Sequence, residues 1–205
     1  MESYVTILNY GKFEYEDRKS IFIGEAMPVS TEEEALAFID SVKKHYPDAR
    51  HHVYAYVLRQ NSIMRFTDDR EPQGTAGMPV LDVIRKNSCV DVAIVVVRYF
   101  GGTLLGTGGL VHAYTSSAAG ALKCGNIIKY DVYTSISVGC SYSDYQKILP
   151  RLSELGFKIE NTDYGQDILI SGRIIKVDSV GFCDEMTQIT AGRAEIRFLG
   201  EKYDF

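Results

Sequence analysis

The sequence VVVRYFGGTLLGTGGLVHAY, residues 95–114, joins an apolar run to a glycine-rich loop and the start of a helix. The run that leads into it, residues 90–97, is almost wholly β-branched or apolar, which predicts a strand buried on both faces. Many small side chains follow in residues 109–124 and predict a helix that packs closely on a sheet. The segment therefore predicts a strand, a loop and a helix within one domain of mixed α and β structure.

Further strand and helix patterns lie on the N-terminal side of this segment. β-type patterns predict strands at residues 4–9, 13–15, 19–29, 51–58 and 63–66. A helix is predicted between an N-cap at Ser30 or Thr31 and a stop at Pro47. Its apolar positions at helical spacing are Ala35, Leu36, Ile39 and Val42. A second helix is predicted at residues 79–86, after a polar loop.

The last third of the chain shows the order β-α-β-β-α-β. Strands are predicted at residues 134–140, 157–162, 167–174 and 194–199, and helices at residues 142–155 and 177–190. This order is that of a ferredoxin-like domain. The fold class is therefore α+β, with an N-terminal domain at residues 1–131 and a ferredoxin-like domain at residues 132–205.

Composition excludes several classes of protein. The 205 residues carry a net charge of −5, which argues against bulk attraction to nucleic acid. The N-terminus lacks the pattern of a secretory signal, and no apolar run is long enough to span a bilayer. The four cysteines are widely spaced and predict reduced thiols. We expect a cytoplasmic protein with no membrane contact, no metal site and no cofactor, and the sequence predicts no particular oligomeric state.

The glycine-rich loop, residues 98–109, is the first candidate site. Glycines let the backbone turn and present N–H groups, and a helix N-terminus adds partial positive charge, so the loop could hold a phosphate or a carboxylate. Thr107 replaces the lysine of a P-loop, and Val111 stands where a dinucleotide fingerprint needs glycine. The alternative is that the glycines serve only tight turns and close packing.

The acidic segment, residues 67–77, is the second candidate. Asp68, Asp69 and Glu71 lie beside Arg65 and Arg70, and oxygen ligands at this density could bind a divalent cation. The residue order of a calcium loop is absent. The alternative is a solvated turn that leads into the next helix.

Histidines form the third candidate. His51 and His52 are adjacent on a predicted strand, so their side chains point to opposite faces and cannot easily share a metal ion. One can face a site while the other faces the core or solvent, and His112 is a possible companion. No nucleophile elbow is present, so the sequence gives little support to nucleophilic catalysis.

Two of these segments together carry a family resemblance. The pattern D-D-x-E-P-x-G-T-A-G-x-P at residues 68–79 and V-V-V-R-Y-F-G-G-x-x-L-G-x-G-G-L at residues 95–110 closely resemble the IMPACT/YigZ family. H-H-x-x-A-Y at residues 51–56 and K-S-x-F-I at residues 19–23 also fit, so the resemblance covers essentially the whole chain. Arg70 departs from the pattern, because the family commonly has glycine there.

The resemblance implies a fold and a role connected with translation. It implies an N-terminal domain similar to the second domain of ribosomal protein S5 and a C-terminal domain similar to the last domain of elongation factor G. Both relatives handle RNA or the ribosome. Eukaryotic members are regulators that tune translation through a partner of the amino-acid-starvation kinase, but their C-terminal part differs. The resemblance carries over no catalytic residues.

Three functions remain open at this point. The favoured one is a translation-associated regulatory protein that binds RNA, the ribosome or a ribosome-associated protein, with an anionic partner at the glycine-rich loop. The second is an enzyme acting on a phosphate- or carboxylate-bearing small molecule, which requires the acidic segment and the loop to converge. The third is a purely protein–protein regulator. The predicted binding residues are His51, His52, Asp68, Asp69, Glu71, Gly74, Thr75, Arg98, Tyr99, Gly101, Gly102, Gly106, Gly108, Gly109 and His112.

Overall fold

Two antiparallel sheets and five α-helices make up the part of the chain described by the computed structural model, residues 2–205. The chain divides into an N-terminal unit, Tyr4–Lys129, and a C-terminal unit that contains Tyr130–Phe205 together with residues 2–3. The expected α+β fold is confirmed.

The N-terminal unit holds one five-stranded antiparallel sheet in the order β2-β3-β6-β4-β5. Three α-helices flank this sheet. In chain order the elements are β1 (Tyr4–Ile7), β2 (Gly11–Asp17), β3 (Ser20–Pro28), α1 (Glu32–His45), β4 (His51–Leu58), β5 (Ile63–Thr67), α2 (Gly77–Lys86), β6 (Val92–Tyr99) and α3 (Gly106–Cys124).

Strand β6 lies at the centre of this sheet and contributes to both of its faces. Val92, Ile94 and Val96 pack in one apolar core with α2 and α3. Ala93, Val95 and Val97 pack in a second core with α1. Because successive side chains of a strand point to opposite faces, the predicted doubly buried strand is confirmed. The same alternation places Arg98 on the face of α2 and α3.

Helix α1 begins and ends where its local sequence directs. The Thr31 hydroxyl accepts a hydrogen bond from the Glu34 amide, as expected of an N-cap, and three glutamates follow in the first turn. The apolar face differs from the prediction at one position. Leu36 is half exposed and Phe38 is buried instead, because Phe38 and not Leu36 follows Ala35 at a spacing of three.

The C-terminal unit has the predicted order β-α-β-β-α-β. Its elements are β7 (Ile127–Cys140), α4 (Tyr142–Glu154), β8 (Lys158–Tyr164), β9 (Ile168–Ile175), α5 (Ser179–Thr190) and β10 (Glu195–Asp204). The strand order β10-β7-β9-β8 is antiparallel throughout, and one core holds side chains of the sheet, α4 and α5. β7 begins earlier and β10 ends later than predicted, and pairing between the two strands extends both beyond the predicted bounds, as far as Asp131 and Asp204.

Candidate functional site

Three neighbouring strands bring a histidine, an arginine and a phenylalanine side by side. Arg98 on β6 is directly opposite Phe22 on β3 and directly opposite His51 on β4. The arginine stands at the end of the sheet where β6 leads into the glycine-rich loop. This end of the sheet, together with the loop that follows β6, forms the candidate site.

A buried ion pair joins this end of the sheet to the acidic segment. Arg98 Nη1 donates a hydrogen bond of 2.6 Å to Glu71 Oε1, and the Tyr114 hydroxyl donates one of 2.8 Å to the same oxygen. All three side chains are buried. Burial, and then the charge of Glu71, raise the pKa of Tyr114 well above its usual range, so that it stays a donor. This Glu71 cluster (Glu71, Arg98 and Tyr114) ties a loop, a strand and α3 together.

Two aromatic rings flank the Arg98 guanidinium. Its Cζ lies 5.4 Å from the ring centroid of Phe22 and 5.7 Å from that of Phe100, within the range of cation–π attraction. Phe22 is fully buried, whereas Phe100 is half exposed. Arg98 Nε is buried and has no hydrogen-bond partner among the described residues.

Asp68 and Asp69 are occupied by the backbone around them. The Asp68 carboxylate accepts hydrogen bonds from the amides of Gly74, Ala76 and Gly77, which holds the acidic segment against the start of α2. Asp69 Oδ2 accepts a hydrogen bond of 2.6 Å from the His52 amide. Both carboxylates therefore stabilise the local backbone by accepting hydrogen bonds from its amides.

Arg70 occupies a left-handed backbone conformation. Its φ is 70°, and that of Asp69 is 41°. Glycine adopts such a φ without steric cost, whereas other residues do so with strain. The glycine that the resemblance leads one to expect at this position is therefore explained by the turn itself, and Arg70 adds strain there.

The rest of the acidic segment is fixed by short-range bonds. Gly74 has a φ of 77°, and the Thr75 hydroxyl donates a hydrogen bond of 2.6 Å to the Pro72 carbonyl. Thr75 is buried. In the described residues, no three His, Cys, Asp or Glu side chains are grouped so that they could hold a metal ion.

The two adjacent histidines separate, as the strand alternation requires. The Nδ1 of His51 lies 2.7 Å from the Asp69 carbonyl, which can only accept, so the histidine donates from Nδ1 and leaves Nε2 free to accept when neutral. That Nε2 lies 4.0 Å from Glu71 Oε1. His52 is on the other face and contacts the Tyr46 carbonyl through Nε2 at 3.0 Å.

The glycine-rich loop is held by one close approach. A Cβ on Gly101 would lie 2.0 Å from the carbonyl carbon of Lys19, and the Gly101 amide donates to the Ser20 hydroxyl at 3.1 Å. Gly102 and Gly106 turn the chain at φ values of 85° and 74°. A Cβ added at Gly109 would lie 3.0 Å from the Cβ of Leu105, so a larger residue would be crowded there.

Gly108 has none of these structural reasons. It lies in the first turn of α3, its φ is not positive, and an added Cβ would meet nothing within 4 Å. Gly106, Thr107 and Gly108 are exposed, and no side chain caps this end of α3. Among the described residues, the amides of this exposed turn therefore have no side-chain hydrogen-bond acceptor at the helix N-terminus.

Sequence reasoning did not find the contribution of the β2–β3 turn. Arg18 and Lys19 form its tip, with φ values of 46° and 65°, and Gly101 packs directly on Lys19. Arg18 Nη1 lies 3.4 Å from the Leu104 carbonyl. The signal was present in the K-S-x-F-I match at residues 19–23, which begins at Lys19. We call Arg18 and Lys19 the basic turn.

Three predicted residues lie away from the Glu71 cluster. His52 and Tyr99 are on the α1 face of the sheet, opposite to Arg98. His112 is exposed on α3 and meets the ring of Tyr15 edge to face at 5.9 Å. The structure thus brings together His51, Asp69, Glu71 and Arg98, and it adds Tyr114, Phe100 and the basic turn.

The chain matches two described domain families. Residues 18–122 match the Impact N-terminal domain, and residues 138–193 match a domain of unknown function, DUF1949. The Glu71 cluster and the basic turn both lie within the first match. The chain also resembles a solved structure described as the crystal structure of a hypothetical protein, with a TM-score of 0.60, 32% identity and 98% of each chain covered.

Curated relatives cover nearly the whole length. IMPACT family member YvyE of Bacillus subtilis is 34% identical over 198 residues, which are 96% of this chain and 91% of that protein. IMPACT family member YigZ of Escherichia coli is 33% identical over 189 residues, 91% of this chain and 93% of that protein. The yeast Protein IMPACT homolog is 28% identical over 113 residues, 53% of this chain and 44% of that protein. The chain belongs to the IMPACT family.

Proposed function

We propose that this protein is a translation-associated regulatory protein that binds RNA, on or off the ribosome, with phosphates at the glycine-rich loop. The carrying observation is the basic turn, which is packed onto this loop beside the uncapped start of α3. Helix N-termini and cations both favour anions. The resemblance to families that handle RNA supports the field of action, and a cytoplasmic location is part of the proposal.

Local charge supports this surface in spite of the overall net charge of −5. Residues 92–122 contain no Asp or Glu, so no acidic side chain of the loop or of α3 opposes a phosphate. Asp17, at the base of the basic turn, is the acidic residue nearest in sequence. The Glu71 cluster, at the end of β6 where the loop begins, pairs one acidic with one basic side chain and so adds no net negative charge there.

Ribosome and RNA binding across a salt series tests the proposal. We expect association at low salt, and replacing Arg18 and Lys19 by Gln should lower the slope of log affinity against log salt by about 1 to 2. The matched control is Lys43→Gln with Lys44→Gln on α1, on the opposite face of the sheet. Absence of association at low salt would refute the RNA proposal.

A protein partner would give a different pattern. Leu104 is 81% exposed in the middle of the glycine-rich loop, and Phe100 of the same loop is half exposed. Capture that resists salt and is lost in a Leu104→Ser variant would therefore indicate an apolar protein contact in place of phosphate binding.

An enzyme acting on a phosphate- or carboxylate-bearing small molecule is the second candidate. One observation favours it, namely the convergence of His51, Glu71 and Arg98, with the histidine held in one tautomer by the Asp69 carbonyl. A histidine held in this way can act as a general base through Nε2. Turnover of phosphomonoesters or carboxylate esters that disappears in His51→Gln would support it, and turnover unchanged by that substitution would reject the role of this site.

A further inference from the structure

We propose that the free edge of Arg98, formed by Nε and Nη2, binds a terminal oxyanion, either a phosphomonoester or a carboxylate. The inference rests on the proposed function in that both place an anion at this end of the domain. It goes further by assigning the group that recognises the anion and by excluding an internal phosphodiester.

Unused hydrogen-bond donors carry the inference. A guanidinium has five N–H donors, and the Arg98 side chain uses one nitrogen among the described residues, Nη1, which donates to Glu71. The side chain is only 8% exposed, and its Nε is buried without a hydrogen-bond partner. A buried donor without a partner is rare in folded proteins, so the unpaired Nε of Arg98 points to a ligand as its partner.

A second arginine of the same chain shows the contrast. Arg173 also has a buried Nε without a partner, but its Nη1 and Nη2 pair with Glu160 and Asp204. Its guanidinium therefore has no pair of adjacent free nitrogens. Arg98 retains the Nε and Nη2 edge, whose parallel donors match the two oxygens of a carboxylate or phosphate.

The aromatic neighbours decide which oxyanion can reach this edge. Phe22 is fully buried beneath the guanidinium, so the half-exposed ring of Phe100 is the outer wall. An anionic group at the end of a molecule carries only one substituent, which can extend past this ring towards solvent. A phosphodiester inside a strand carries substituents on both sides of the phosphorus, so we expect one of them to meet this ring.

Charge also limits the ligand. Glu71 already neutralises Arg98, and the Tyr114 hydroxyl is turned towards the same carboxylate. A second anion therefore binds through directed hydrogen bonds more than through net attraction. A carboxylate or a singly charged phosphate suits this balance better than a dianion.

Nitrogen-15 NMR of arginine Nε–H groups tests the assignment on the full-length chain. Buried Nε–H protons exchange slowly, so Arg98 and Arg173 should both give signals, which Arg98→Lys and Arg173→Lys assign. We expect inorganic phosphate, adenosine monophosphate or acetate to shift the Arg98 signal saturably at constant ionic strength and to leave the Arg173 signal in place. A larger shift of the Arg98 signal with acetate identifies a carboxylate as the ligand, and a larger shift with the phosphates identifies a phosphomonoester.

Two results would overturn the proposal. One is an Arg98 signal that none of these anions moves, and the other is an equal movement of the Arg98 and Arg173 signals. A dinucleotide without terminal phosphate should shift Arg98 only in Phe100→Ala, and an equal shift in the wild type would refute the outer wall. RNA binding that persists without any Arg98 shift would sink this site while leaving the proposed function standing.

Discussion

The Nη1 atom of Arg98 lies 2.6 Å from Oε1 of Glu71, and both side chains are more than nine-tenths buried. Removing one partner of such a pair leaves a charge without compensation in the interior. We predict that Glu71→Gln destabilises the N-terminal unit by about 3 kcal/mol, measured by urea unfolding. Asp82→Asn, which breaks the exposed pair with Arg85, is the control and should cost less than about 1 kcal/mol. Equal losses in the two variants would contradict the prediction.

Strain at the acidic segment gives a stabilising substitution. Arg70 has a φ of 70°, and glycine relieves a left-handed backbone that costs other residues about 1–2 kcal/mol. Part of this gain is offset by the greater freedom of glycine in the unfolded chain, so we expect Arg70→Gly to stabilise by up to about 1 kcal/mol. The same change in a helix, Arg85→Gly in α2, should destabilise by about 1 kcal/mol. A loss of stability in both variants would show that Arg70 is not strained.

Two glycines of the loop should respond oppositely to alanine. Gly101→Ala places a Cβ 2.0 Å from the Lys19 carbonyl carbon, so the backbone must move and we expect a loss of about 2–3 kcal/mol. Gly108→Ala meets nothing and lies in a helix, so we expect a gain of up to about 1 kcal/mol. Thermal unfolding of both variants checks the pair. Similar effects in both would mean that the close approach is not what requires glycine at residue 101.

Acid stability of the C-terminal unit should depend on Asp144. Hydrogen bonds from Arg193, and then from Lys147, hold the pKa of this buried carboxyl well below its ordinary 3.8. A lowered pKa in the folded state stabilises above the ordinary value, and this stabilisation is lost as pH falls from 3.8 towards the lowered pKa. Asp144→Asn should therefore unfold more easily than the wild type at neutral pH and show less dependence on pH in the acid range.

Circular dichroism during urea unfolding, repeated at several acid pH values, measures this difference. The exposed Asp184, on α5 of the same unit, provides the control Asp184→Asn. A wild type and an Asp144→Asn variant with parallel pH profiles would reject the role of Asp144.

Much of the fold follows from local pattern. The unbroken apolar run of β6 predicts burial on both faces, and the strand of His51–Leu58 has the bounds that its alternation predicts. Thr31 caps α1 as its residue type suggests. These features depend on side chains a few residues apart, which a single sequence displays directly.

The site depends on contacts between distant residues, which local pattern does not contain. Ser20 and Gly101 are 81 residues apart, and Glu71 and Tyr114 are 43 apart. The glycines alone favour a loop that binds an anion, but they do not reveal that Lys19 packs against this loop. The acidic segment suggested oxygen ligands, whereas Asp68 binds backbone amides of its own segment. The residue types could be read from the sequence, whereas the hydrogen-bond partner of each polar group could not.

The position of β6 between β3 and β4 also has a consequence during synthesis. The core beneath Arg98 includes Phe22 from β3 and Tyr114 from α3, a helix that ends at Cys124. A nascent chain that has emerged only as far as β6 consequently has a sheet face that α2 can cover but α3 cannot, and it lacks the Tyr114 hydroxyl that donates to Glu71. We therefore expect the Glu71 cluster to be completed late in synthesis, when α3 has left the exit tunnel and packs on the sheet.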